Sequence, residues 1–333
     1  MDTGTHFAFG FGLAGLSQLD PSVAGDPWTS FAVMLGTIAG SQAPDVDTVT
    51  KLRGNAAYVR HHRGISHSIP LWFIWTAAIS LSLWLVFPQA PLKTLLLWVF
   101  IAVIVHVFTD LFNSYGTQAL RPFSSKWIAW NIIHIFDPFI FASQSAAVVL
   151  WFVGAAPAAV LFPALYAALA LYYIWRTVVH VRIARKLPRA DPEHAEGDRY
   201  TVLPTVNWTT WYLVKKKADG HYVMGYWIKG SLIWNKEFSC ESAPEIEASR
   251  KHPDVAAFLS FSAYPCVQME KSDKETIVRW ADARYLHRKE YPFVAVVKYN
   301  ERMDPVFSYV GWISDDKLVR RINRPSGIIP ERR

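Results

Sequence analysis

His106 and Asp110 stand four residues apart inside an almost uncharged run, "LKTLLLWVFIAVIVHVFTDLFNSYG" (92–116). A helix puts both on one face, and ionisable groups inside such a run are costly enough to be read as functional. Taken alone, the pair can equally well tie two helices together. Further side chains of ligand type accompany it. "SQAPDVDTV" supplies Asp45 and Asp47 where Pro44 ends an apolar stretch. "RHHRGISHS" (60–68) supplies His61, His62 and His67 with Arg60 and Arg63, and His6 sits just before another apolar stretch. An Asp-x-Asp by itself is usually a turn or a helix cap, and a basic loop by itself is drawn to anionic lipid headgroups. Headgroup attraction accounts for the arginines, but not for histidines that are mostly neutral at pH 7.

Together, His6, Asp45, Asp47, His62, His67, His106 and Asp110 make a His/Asp set without thiolates. Such a set suits Zn²⁺ or Mn²⁺ and, in two-metal sites, phosphoester hydrolysis. The chemistry expected is polarisation of a phosphoryl oxygen and a bound water acidified toward pH 7. Whichever of Asp45 and Asp47 is not a primary ligand is expected to take the proton or orient an imidazole, which makes Asp47 a candidate catalytic residue as well. Arg63 is expected to clamp phosphate oxygens, because a planar fork suits that geometry better than Lys. Gly64 offers the backbone freedom to aim His62 and His67 inward, with His61 pointing elsewhere.

These residues need helices to position them. "IPLWFIWTAAISLSLWLVF" (69–87) and the run from 92 are long enough to span a bilayer and form a hairpin around Pro88 and Pro91. Residues 138–179 divide at Pro157 into two further spans of about 18–20 residues, giving four in all. Residues 7–19 and 28–43 are apolar but short, and read as buried or half-inserted helices. Lys51, Arg53, Arg60 and Arg63 precede the first span, Arg121 and Lys126 follow the second, and Arg176, Arg182, Arg185 and Lys186 follow the fourth. Lys93 is nearly alone on the other side. The positive-inside rule therefore predicts a multi-pass protein of the cell membrane, with the histidine loop, the 117–137 loop and the C-terminal domain in the cytoplasm.

Composition divides the chain at the same place. Residues 1–180 hold eight Lys or Arg and seven Asp but no Glu, whereas residues 181–333 hold 26 basic and 20 acidic side chains. The expected domains are a membrane-embedded helical domain (1–180), a charged linker (181–200) and a soluble domain (201–333). In the last, runs around the Asp219-Gly220 turn and later hairpins predict a mainly antiparallel sheet with a short helix near 253–261. No chemistry motif appears there, so docking or regulation is the expected role, with its protein partner unspecified. The modest basic excess favours anionic lipid over nucleic acid, and no nucleic-acid motif is present. Cys240 and Cys266 are far apart and outside CxxC spacing, which argues against a disulfide or a cysteine zinc site. The first residues, "MDTGTHFAFGFGLAGL", lack the basic start of a signal peptide and read as retained sequence.

Four blocks, "THFAFGFGL", "GSQAPDVDTV", "HRGISHS" and "HVFTDLFNSYGTQ", resemble the signature blocks of the bacterial membrane-bound, LexA-regulated metal-dependent hydrolase family. "GNAAYVRHHRG", "TQALRPFSSKW" and "FDPFIF" resemble more narrowly its YfhP-type branch. The resemblance covers roughly residues 1–140. The family is regarded as distantly similar to zinc-dependent phospholipases C and single-strand nucleases, helical proteins that hold three zinc ions with His and Asp. That implies His6, an Asp of the Asp45/Asp47 pair, His67, His106 and Asp110 as ligands. Those soluble relatives continue with further His and a His-x-x-x-Glu, where this chain has only His134, Asp137 and His180 and no Glu before residue 193. One or two metals are therefore expected rather than three.

The fold expected is an all-α polytopic membrane domain followed by a mainly antiparallel β domain. The function expected is metal-dependent hydrolysis of a phosphoester, such as a phospholipid headgroup, at the cytoplasmic face. The alternative is a non-enzymatic membrane regulator with a structural or sensory metal site. An open coordination position favours the enzyme and a closed four-ligand site the regulator. A transporter using His106 and Asp110 as a proton relay ranks below both, because no inverted repeat is visible and the ligands crowd one side of the membrane.

Overall fold

A computed structural model of the chain describes residues 1–285 and 293–323. The chain divides into two compact units. The first comprises Met1–Thr48, His62–Arg185 and Val202–Trp211. The second takes Val49–His61, Lys186–Thr201 and the described residues from Tyr212 onward.

Short polar caps start the helices of the first unit. Asp2 opens α1 (Thr3–Leu16), its carboxylate accepting from the Thr5 N–H at 3.0 Å. A single turn, α2 (Pro21–Ala24), follows. Asp26 accepts from the Thr29 N–H at 2.8 Å and Pro27 takes the first position of α3 (Pro27–Gln42), where its missing N–H costs nothing. Beyond α3 a 3-10 stretch, Ala43–Arg53, carries Asp45 and Asp47 into the short helix α4 (Asn55–His61). A 3-10 turn, Ile65–His67, then leads to α5 (Ile69–Val86) and α6 (Leu92–Leu111). Helices α7 (Pro138–Phe152) and α8 (Ala158–Ala190) complete the helical part.

Helix α3 lies between α1 and α6, with α5 on α6 and α7 on α1. A glycine permits a further close approach, of α1 to α8: a Cβ on Gly15 would lie 1.9 Å from the buried Phe162 ring. Among the described residues three helices, α5, α6 and α8, are long and apolar enough to cross a membrane. Their surroundings differ. In the most apolar window of α6, 56 % of residues are buried, against 11 % in α5. Helix α6 is therefore the enclosed one, and polar groups on it face protein.

Two expectations change here. The third expected span is α7, only 15 residues long, or about 22 Å against a hydrocarbon core of about 30 Å. Gly154, with φ +70°, and Pro157 stop it early. The segment expected as a linker also begins as helix, since α8 continues to Ala190 and strand β1 starts at Arg199. Its Lys and Arg side chains are good helix formers and do not interrupt the turn pattern.

The C-terminal part contains two four-stranded antiparallel sheets. The first follows the order β1 (Arg199–Pro204), β2 (Thr210–Lys216), β3 (Tyr222–Ile228), β4 (Ser231–Phe238). The Asp219-Gly220 turn closes β2 on β3, with Gly220 at φ +92° as such a turn requires. Two helices, α9 (Pro244–Ser249) and α10 (Pro253–Phe261), precede the second sheet. It runs β5 (Pro265–Lys271), β6 (Glu275–Asp282), β7 (Phe293–Asn300), β8 (Pro305–Trp312), and α11 (Asp315–Ile322) follows. Its central strand β7 is buried on both faces: Val294 and Val296 pack with Ala281 on one, while Ala295 and Val297 lie opposite Trp280 and Val278 on the other. Contrary to expectation, Cys240 and Cys266 form a disulfide. The Glu241 N–H donates to the Val267 carbonyl at 3.0 Å, so the chain leaving β4 runs beside β5 and brings the two Cα atoms to 5.1 Å. Spacing along the sequence does not reveal such a juxtaposition.

Candidate metal centre

Three segments of the first unit converge on one point. Helix α6 places His106 and Asp110 one turn apart on its buried face, 1 % and 0 % exposed. The stretch after α3 brings Asp45, and the turn before α5 brings His67. His67 Nε2 lies 3.3 Å from Asp110 Oδ2, 3.6 Å from Asp45 Oδ1 and 3.3 Å from His106 Nε2. His106 Nε2 lies 3.6 Å from Asp110 Oδ2 and 3.7 Å from Asp45 Oδ1. Four ligand atoms arranged tetrahedrally about 2.0–2.2 Å from a zinc ion stand about 3.3–3.6 Å from one another. The four residues fit a metal of that size.

Hydrogen-bond partners assign the protons and strengthen the case. His106 Nδ1 faces the Ser41 carbonyl at 2.6 Å. A carbonyl only accepts, so Nδ1 carries the hydrogen and the lone pair sits on Nε2. Ser66 Oγ donates to Asp47 Oδ2 at 2.5 Å, which leaves it to accept from His67 Nδ1 at 3.0 Å. His67 therefore also turns a bare Nε2 inward. The two lone pairs face each other beside Asp45 Oδ1 and Asp110 Oδ2, both buried and without a hydrogen-bond partner. Four acceptors converge with no donor among them, the arrangement a cation relieves. Burial pulls the His67 imidazole well below its ordinary value, with His106 the next influence, and keeps it neutral. For Asp45, burial acts upward, but the net displacement is well below the usual carboxyl range, with the Arg63 charge among the groups that favour the carboxylate.

The remaining expected site residues surround this cluster. His6 is not one of the four: its Nε2 approaches the other oxygen of Asp110, Oδ1, at 3.4 Å, and its ring stacks on His106 at 3.7 Å. The Met1 amine also meets Asp110 Oδ1 and lies 3.0 Å from His6 Nε2. Asp47 braces the loop, its Oδ1 on His62 Nδ1 at 2.6 Å and its Oδ2 on the Arg63 N–H at 2.8 Å and on Ser66. With Asp45 it brings His62 into a second group of three close ligand atoms, all part-exposed. His61 is exposed.

Arg63 differs from expectation. It is buried, and its fork turns inward: Nη2 lies 3.2 Å from Asp110 Oδ1 and donates to the Met1 carbonyl at 3.0 Å, while Nη1 donates to Asn113 Oδ1 at 3.3 Å. A guanidinium already committed to a carboxylate is not free to clamp phosphate, so its job is to hold Asp110. The bend of the loop falls on Arg63, at φ +58°, together with Gly64, at φ −90° and ψ −106°. Sequence reasoning also missed Ser41, Ser66 and Asn113. Ser66 lies inside the histidine block and Asn113 three residues after Asp110, so their positions are the only signal they offer.

Metal analysis of the detergent-purified protein checks the assignment. His106→Ala should lose the ion, and Ser66→Ala, which frees His67 to adopt the wrong tautomer, should weaken it about 10- to 100-fold. His61→Ala should bind as the wild type does. Equal metal content in all three would refute the site.

Comparison with known proteins places this cluster in a family. The sequence pattern of the YdjM inner membrane protein family matches residues 1–183, which contain every residue of the cluster. The YfhP C-terminal alpha/beta plait domain matches residues 244–322. Over 326 residues the chain is 42 % identical to the uncharacterized protein YfhP of Bacillus subtilis (strain 168), covering 97 % of this chain and 98 % of that one. No solved structure matches. With more than half its length matched and a relative this similar from end to end, the chain belongs to the YdjM inner membrane protein family.

Proposed function

We propose that the protein is a multi-pass membrane hydrolase that uses a divalent metal, Zn²⁺ before Mn²⁺, to cleave a phosphoester such as a phospholipid headgroup. One observation carries this reading: four proton-free ligand atoms converge from Asp45, His67, His106 and Asp110, and one of their owners reaches the surface. The Asp45 side chain is 16 % exposed, whereas the other three are fully enclosed. Asp45 is the one ligand with an edge in solvent, its Oδ1 itself being buried, and substrate is proposed to approach from that side.

When bound, the ion supplies a polarised phosphoryl oxygen and a water acidified toward neutral pH. The residues of this chain supply the rest. His67 and His106 stay neutral as ligands. Asp47, linked to His67 through Ser66, holds that imidazole in its productive tautomer. Its contact with His62, which is partly exposed, offers a path by which a proton leaves toward solvent. Arg63 fixes Asp110 from behind. The resemblance of the sequence blocks to the membrane-bound metal-dependent hydrolase family would imply the same reaction class.

The second reading is a membrane-anchored regulator. It is favoured by the number of ligands, because two His and two Asp can fill a tetrahedral shell as structural sites do. Activity separates the two. The metal-loaded protein should release p-nitrophenol from bis(p-nitrophenyl) phosphate or a headgroup from phospholipid vesicles, and His106→Ala and Asp110→Asn should not. A protein that holds its metal and cleaves neither substrate would be the regulator.

Orientation is part of the proposal. The charges flanking the spans favour a cytoplasmic metal loop and C-terminal domain. A reporter active only in the cytoplasm should work when fused after Arg185 and fail when fused near Gln89. The reverse pattern would put the site outside.

A further inference from the structure

Residues 49–61 lie in the N-terminal half of the sequence, between the two loops of the metal centre, yet they belong to the second compact unit. Helix α4 within this strip packs against α10 and against β8. Val59, on α4, is 8 % exposed, and the neighbouring turns leave Arg60 and His61 in solvent. On β8, a Cβ added at Gly311 would meet the Asn55 side chain at 3.7 Å, so the strand runs close to the first turn of α4. In turn, α10 buries Val255, Ala257 and Phe258. The strip is thus held by residues some two hundred positions further along the chain.

Its two ends are the metal centre. Asp47 stands two residues before Val49, and His62 follows His61 directly. These ends are joined to each other: His62 Nδ1 and the Arg63 N–H both bind the Asp47 carboxylate, at 2.6 and 2.8 Å. The same carboxylate sets Ser66, and through it His67. Residues 47–63 therefore form a closed loop whose neck belongs to the site and whose body belongs to the C-terminal domain.

We propose that the C-terminal domain is the control element of the metal centre: by holding residues 49–61 it sets the Asp47–Ser66–His67 chain and with it metal affinity. This rests on the metal-binding reading above. It gives work to a domain without a chemistry motif of its own, and it needs no separate messenger because the strip is covalently continuous with the ligand loops. Linkage makes the effect reciprocal: if the hold on the strip tightens metal binding, metal must tighten the hold.

Hydrogen exchange on the full-length protein in detergent, with and without Zn²⁺, tests this directly. Zinc should slow exchange at residues 55–61 and also at 253–261 and 305–312, by about fivefold or more. His106→Ala should show none of these changes. Slowing confined to the ligand segments (41–47, 62–68 and 103–113) would overturn the proposal while leaving the metal site intact. No zinc effect anywhere in the wild type would overturn the metal-binding reading and this proposal with it. Val59→Asp gives an independent check, since residue 59 supplies no ligand atom. It should weaken zinc binding about fivefold or more, with Val59→Ile close to wild type; unchanged affinity in Val59→Asp would also overturn the proposal.

Discussion

Two imidazole nitrogens, each a bare lone pair, face each other 3.3 Å apart in the interior. Two carboxylate oxygens without hydrogen-bond partners close the same space. Burying a single unpaired carboxylate costs several kcal/mol, and here acceptors are gathered where each makes its neighbours worse. No rearrangement of protons within the four residues cures this, because Ser41 fixes the tautomer of His106 and Ser66 that of His67. A cation does cure it, and the spacing suits one the size of zinc. Much of the first unit serves that constraint. The end of α3, the turn before α5 and the inner face of α6 meet at this point, and α6 is the most enclosed of the three long apolar helices.

Asp110 shows how the surroundings divide the work. One oxygen points to the ligand cluster. The other receives Arg63, Asn113, the Met1 amine and the edge of His6. A carboxylate held so firmly on one side presents its second oxygen in a single direction, which is what a tight ion site requires. Arg63 reaches it from a loop whose own backbone is tied down by Asp47 and by the Gln118 N–H at 2.9 Å. The arginine and the ligand histidine of the block "RHHRGISHS" therefore act together, one from behind the site and one within it.

The parts of this legible in the sequence are those governed by local period. Four-residue spacing put His106 and Asp110 on one helix face, apolar length identified α5 and α6, and the Asp-Gly turn located the β2–β3 hairpin. Position along the chain also made Asp45 and His67 candidates. What was not legible depends on contacts between distant segments. Nothing in "PDVD" distinguishes the aspartate that faces the cluster from the one that braces a loop; Ser66 and His62 decide it. Arg63 reads as a surface cation until its burial against Asp110 is known. The disulfide and the strip 49–61 are of the same kind, each set by where the chain returns. Several of the missed residues are small hydroxyl or amide side chains, whose ordinary role in turns conceals their role at the site.

X-ray absorption at the zinc edge of the metal-loaded, full-length protein is the most direct measurement of the central claim. Two histidines and two aspartates predict a first shell of nitrogen and oxygen alone, about 2.0–2.1 Å from the ion, with the outer-shell scattering of two imidazoles. A sulfur shell, or a shell of light atoms without imidazole scattering, would contradict it.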